Sequence, residues 1–101
     1  MAKKSSIEKN KHRTRLVAQY ADRRSRLKAI VQDRDVSIEE RFAATLKLAE
    51  LPRNSAKNRI RNRCEVTGRA RGFYRKLKMS RIAMRDLGNK GLVPGLTKSS
   101  W

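Results

Sequence analysis

The 101-residue sequence has one cysteine, one histidine, one tryptophan and two prolines, and only nine acidic residues against 27 basic ones. Each shortage excludes something. A single cysteine, Cys64, rules out an internal disulfide and fits a reducing compartment. One cysteine and one histidine, Cys64 and His12, stand 52 positions apart, too sparse a set to supply nucleophile, base and orienting group together. The chain therefore reads as no enzyme. A reactive Cys64 thiol favoured by neighbouring arginines is the one chemical alternative, and a small residue filling a tight turn is the plainer reading. No apolar run approaches the ~18 residues of a membrane span. The first fifteen residues hold Ile7 as their only large aliphatic, so no signal peptide is expected. The single Trp is the terminal Trp101, and no helical face sets Trp, Phe and Leu opposite lysines, as a membrane-surface helix requires. Aromatics at 5% and apolar residues at 38% leave too little to bury a large core in so short a chain. Part of the chain is expected to order only on a partner.

What is abundant is positive charge, +18 net. A polyanion relieves that self-repulsion, and release of phosphate counterions drives such binding. The charge falls in three zones: residues 1–30 carry +8, residues 31–51 carry −2, and residues 52–101 carry +12. In the first zone Leu16, Tyr20, Leu27 and Val31 recur at helical spacing, widened by Val17, Ala21 and Ile30. No Gly or Pro occurs in residues 1–51 to interrupt it. In the second zone Ser37 and Glu40 form a capping box. Ile38, Phe42, Thr45, Leu46 and Ala49 then share one helical face, and Leu51-Pro52 stops the helix. The short link at residues 32–36 predicts an antiparallel helix pair. Its low charge predicts that the second helix faces protein or solvent rather than phosphate.

The third zone lacks a long apolar period. Between Lys57 and Arg63 basic residues alternate with others, which places the cations along one side of an extended backbone. Arg53, Lys57, Arg59, Arg61, Arg63, Arg69, Arg71, Arg75, Lys76, Arg81 and Arg85 are the candidate phosphate clamp, with Lys98 further on. Arginine suits this because its planar fork pairs bidentately with phosphate oxygens. Phe73 reads as a plug in a miniature core with Leu77, Ile82 and Leu87, and Tyr74 as a ring that stacks on an unpaired base or offers its hydroxyl. Gly68 and Gly72 permit a small hairpin or knuckle around residues 63–75. A short helix follows, N-capped by Ser80 and stopped at Gly91. "VPGL" at 93–96 has the Pro-Gly order of a type II turn. The fold class is mainly α: an N-terminal helical pair over residues 1–51, then residues 52–101 as an extended basic segment with a degenerate zinc-knuckle or hairpin and a short C-terminal helix, without a large core.

Cys64, Thr67, Ser80 and Ala83 have the spacing of a zinc ribbon, C-x-x-C twice, but three of the four thiolates are missing. One thiolate cannot hold structural zinc, so no metal or other cofactor is expected. The run "LPRNSAKNRIRNRCEVTGRARGFYRKLKMSRIAMRDL" and the ending "GLVPGLTKSSW" resemble the small-subunit ribosomal protein fourteen family over nearly the whole chain. The chain resembles that family's long form, which has extra N-terminal helices and has lost the zinc cysteines. It departs at Ala70, where many relatives have proline, and at Lys78, where many have glycine. The resemblance implies a cytoplasmic, ribosome-bound protein in the head of the 30S subunit, on the 3′ major domain of 16S rRNA. It implies small-subunit proteins three, ten and nineteen as neighbours, and a role in head assembly near the decoding region. It also implies that Trp101 is gripped by a partner. No membrane association and no homo-oligomer are expected. The competing reading is a DNA-binding regulator whose N-terminal half imitates a helix-turn-helix, against which stands charge spread over many segments rather than one recognition helix.

Overall fold

The structure, a computed structural model, describes residues 2–99; the candidate Trp101 lies outside them. Three α-helices and one two-stranded hairpin, with two single-turn 3-10 helices between α2 and β1, make up the regular structure of the described residues: α1 Lys4–Gln32, α2 Ile38–Glu50, β1 Phe73–Tyr74, β2 Met79–Ser80 and α3 Arg81–Asn89. This is the mainly helical, core-poor architecture that the sequence implies. The described residues divide into two compact units, residues 9–60, and residues 61–99 with residues 2–8. Among the described residues only Ala44, Ser55, Cys64, Gly68, Ser80 and Ala83 are buried.

In the unit of residues 9–60, α1 runs on without Gly or Pro until a local device turns it. The Asp33 carboxylate accepts the Asp35 N–H at 3.0 Å, an Asx turn that offers the backbone an alternative to the helix. Arg41 of α2 then donates Nε to the Val31 carbonyl at 3.1 Å. It thereby satisfies one of the C-terminal carbonyls that a helix leaves open and folds α2 back on α1. Ser37 caps α2 by accepting the Glu40 N–H at 3.4 Å. The predicted α1 face holds: Leu16, Val17, Tyr20, Leu27 and Val31 are half-buried, with Ala21 and Ile30 exposed at its margin.

In α2 the inward residues are Ala44, buried, and Arg41, Leu48 and Leu51, half-buried. The predicted stripe of Ile38, Phe42, Thr45, Leu46 and Ala49 lies elsewhere on the helix and is exposed. Its sequence period is correct, but the face turned inward is the one that carries the buried Ala44 and Arg41, which bonds the Val31 carbonyl.

Beyond Leu51 the segment does not extend at once. It makes two single-turn 3-10 helices, Arg53–Ser55 and Lys57–Arg59, and becomes extended at Ile60. The alternation from Lys57 to Arg63 is therefore a run along one side only in its second half. The first turn is held from α1, where Arg24 donates Nη2 to the buried Ser55 hydroxyl at 2.8 Å. Ser55 in turn donates to the Pro52 carbonyl.

In the other unit, the turn after Cys64 is closed by two bonds, Cys64 N–H to the Arg69 carbonyl at 2.9 Å and Gly68 N–H to the Cys64 carbonyl at 2.8 Å. The hairpin sits later than the sequence suggested. It pairs Phe73 with Ser80 and Tyr74 with Met79 in antiparallel register, so residues 63–75 divide between the knuckle and the first strand. Ser80 caps α3 by accepting the Ala83 N–H at 3.2 Å. At the far end Gly91, with φ +70°, closes the helix in a Schellman arrangement: Gly91 N–H bonds the Gly88 carbonyl and Leu92 N–H the Leu87 carbonyl, both at 3.0 Å. The turn at Val93–Leu96 forms as expected, with a Leu96 N–H to Val93 carbonyl bond and φ +76° at Gly95.

Lys78 is the one described non-glycine residue with positive φ, at 54°. It closes the hairpin loop, and its carbonyl accepts the Glu65 N–H at 3.1 Å. A left-handed conformation costs a residue with a Cβ about 1–2 kcal/mol, partly offset by the extra freedom that glycine loses on folding. Lys78→Gly is expected to stabilise this unit by about 1 kcal/mol, measurable as roughly fivefold tighter binding to whatever polyanion orders it.

Candidate nucleic-acid interface

The four positions with zinc-ribbon spacing come together in space. Cys64, Ser80 and Ala83 are buried, and Thr67 is half-buried beside them. The Thr67 backbone N–H points to the Cys64 sulfur at 3.4 Å, and the Ala83 N–H points to the Ser80 hydroxyl in the same way. Each turn thus satisfies its amide with the side chain three residues before it. The donor set does not fit zinc: one thiol, two hydroxyls and a methyl cannot supply a tetrahedral site. No group of three or more His, Cys, Asp or Glu among the described residues could hold a metal ion.

Burial pushes the Cys64 thiol up, but hydrogen bonds from Thr67, Ser80 and Val66 outweigh it and bring the thiol down to about 6 from an ordinary 9.0. The Thr67 hydroxyl favours the thiolate yet makes no hydrogen bond of good geometry; the Thr67 N–H is the better-formed donor. The thiolate's contribution is fully present above pH 9, where the unfolded thiol is also ionised, and is lost as the pH falls through 6. The affinity advantage of the wild-type chain over Cys64→Ser for a nucleic-acid partner should therefore grow with pH across that window. The limit is about tenfold per pH unit, one proton's worth, and the difference between the two proteins should stop changing below pH 6.

Most of the candidate cations are exposed. Arg61, Arg71, Arg75, Lys76, Arg81, Arg85 and Lys98 are exposed in one unit, and Arg53 and Lys57 in the other. Arg75 and Lys76 lie in the hairpin loop of residues 75–78. Arg81 lies along Gly72, where an added Cβ would stand 3.3 Å from its side chain. Three candidates are drawn inward. Arg59 and Arg69 are half-buried, with Arg69 Nε bonded to the Arg71 carbonyl at 3.1 Å. Arg63 spends one nitrogen on the Gly68 carbonyl at 3.0 Å, so it braces the knuckle from inside.

Tyr74 is 48% exposed and its ring is available to a partner. Phe73, Leu77 and Leu87 are half-buried as the miniature core requires. Ile82 is the exception, 43% exposed, because the Ser80 cap turns Ala83 rather than Ile82 toward the centre. Ile82 instead lines a groove of about 610 Å³ with Arg69, Arg71 and Asp86.

Sequence reasoning missed two features. The first is a groove of about 570 Å³ in the other unit, where Arg23, Arg26 and Lys47 surround Tyr20, Leu27 and Leu51. Arg23 stands over the Tyr20 ring at 5.8 Å. The periodic α1 face pointed to Tyr20 and Leu27, but nothing in the sequence joined them to Lys47. The second is a set of guanidinium nitrogens, Arg13 Nε, Arg24 Nε and Arg63 Nε, buried without an acceptor from the chain. Such donors cost roughly 1–3 kcal/mol each until an acceptor arrives. No helix of the described residues is long and apolar enough to cross a membrane.

The family profile described as ribosomal protein S14p/S29e matches residues 47–100, just over half the chain. Over the full length of both chains, the sequence is 71% identical to the small ribosomal subunit protein uS14 of Beijerinckia indica subsp. indica. It is also 71% identical to that of Xanthobacter autotrophicus and 69% identical to that of Rhodopseudomonas palustris.

Proposed function

The chain belongs to the ribosomal protein S14p/S29e family, structural constituents of the small ribosomal subunit, and we propose that within the particle it binds 16S rRNA in the head, on the 3′ major domain. There it supports head assembly and the conformation of the decoding region, beside small-subunit proteins three, ten and nineteen. It works as a scaffold and not as an enzyme. The observation that carries this reading is the contrast within residues 52–99. They hold fourteen basic and two acidic residues, their buried residues are five small ones, and most of the basic side chains stand exposed. Such a segment has too little interior to hold itself together and an excess of cations to hold phosphate. Arg53, Lys57, Arg59, Arg61, Arg69, Arg71, Arg75, Lys76, Arg81, Arg85 and Lys98 are the phosphate contacts. Tyr74 is the stacking ring, and Trp101 is held by the partner. Arg63 supports the knuckle from within.

The protein does this without zinc. The hydrogen bonds at Cys64 and Ser80 support the two turns that thiolates would pin to a metal. The test is competitive binding in Mg²⁺ buffer, with a transcript of the 16S rRNA 3′ major domain against a palindromic DNA duplex of equal charge. The rRNA should win by at least tenfold, and a zinc-selective chelator should leave its affinity unchanged. A preference for the duplex would favour the DNA-regulator reading, and a chelator-dependent loss would overturn the metal-free one.

A further inference from the structure

The exposed stripe of α2 takes no part in the phosphate clamp. Ile38 is 81% exposed, Phe42 63% and Leu46 51%. They lie at successive i+4 positions and so line one side of the helix, with Thr45 and Ala49 between them. At about 100° per residue, this side lies roughly a third of a turn from the one carrying Ala44 and Leu48. Large apolar side chains left exposed side by side mark an interaction surface. The charges beside them say what kind. Residues 31–51 are the one net-acidic stretch of a chain of +18. Glu39 and Glu50, both exposed, project along one edge of the stripe, and Arg41 is turned back to the Val31 carbonyl.

An RNA strand would meet carboxylates and aliphatic carbons here; the cations of α2 lie off the stripe, Arg41 at the Val31 carbonyl and Lys47 in the groove of Tyr20 and Leu27. A second copy of the chain would bring another +18, and like net charges of that size repel. Resting on the ribosomal reading above, we propose that the Ile38–Phe42–Leu46 face of α2 docks another protein of the small subunit, one that presents an apolar groove rimmed by lysine or arginine. Phe42, at the middle of the stripe, is the anchor that fills the groove. Glu39 and Glu50 face its basic rim.

The experiment uses intact small subunits carrying the full chain with the photoreactive p-benzoyl-phenylalanine in place of Phe42. In a parallel preparation it stands in place of Arg75. Irradiation is expected to join position 42 to a protein peptide with apolar residues flanked by lysine or arginine, and position 75 to rRNA. As a second measurement on the unsubstituted protein, hydroxyl-radical labelling of Ile38, Phe42 and Leu46 should be strong in the free chain and fall to background in subunits. An RNA adduct or a homodimer at position 42, or labelling that persists in subunits, would overturn the proposal. Absence of an RNA adduct at position 75 would instead count against the rRNA reading itself, so the two failures are distinguishable.

Discussion

Gly68→Ala is expected to weaken binding to the rRNA head fragment by roughly 30- to 4000-fold. Two costs combine. Gly68 has φ +78°, a conformation that costs a residue with a Cβ about 1–2 kcal/mol. A Cβ there would also stand 2.6 Å from Ile7 Cδ1 and 2.9 Å from Ile7 Cγ1, and overpacking of this kind costs about 1–3 kcal/mol. The sum, about 2–5 kcal/mol, is read as affinity because this unit has almost no core of its own; each 1.4 kcal/mol is tenfold. Pairing the change with Ile7→Ala separates the two causes. The crowding should disappear and the backbone strain remain, so the double variant should bind more tightly than the sum of the single losses requires. Strict additivity would show that the first turn of α1 does not pack on the knuckle.

Binding should also fall about ten-thousand-fold between 50 and 200 mM monovalent salt. If about eight phosphates are neutralised, the log–log slope is roughly −6 to −7, using about 0.7 to 0.9 ions released per contact. Exposed cations exceed eight in residues 52–99 even with Arg61 left aside: Arg53, Lys57, Arg71, Arg75, Lys76, Lys78, Arg81, Arg85, Lys90 and Lys98. Filter binding at four salt concentrations would measure the slope. A value near −1, about a fourfold change over the same range, would leave the clamp without support.

What could be read from the sequence was whatever depends on local spacing. The Ser37 and Ser80 caps, the stop at Gly91, the turn at Pro94-Gly95 and the half-buried α1 face all follow from short-range chemistry, and all are present. What stayed hidden depends on distant residues. Ile7 stood out in the sequence only as a lone aliphatic, yet it covers Gly68, sixty-one positions away. Ser55 looked like a loop serine, yet Arg24 reaches it from α1. The α2 stripe had the correct period, but periodicity does not say which of two usable faces turns inward, and here it is the one that carries Ala44 and Arg41. The zinc-ribbon spacing correctly placed Cys64, Thr67, Ser80 and Ala83 together. That a thiol and a hydroxyl would each take the amide of the third residue on needed the geometry.

The most direct test is amide hydrogen exchange of the full chain, free and bound to the 16S rRNA 3′ major domain. If phosphate contacts supply what the small interior does not, amides of residues 61–99 should exchange at unstructured-chain rates in the free protein, while α1 and α2 retain protection. On the rRNA, protection should appear across the knuckle, the hairpin and α3. Full protection of residues 61–99 before any RNA is added would contradict the account.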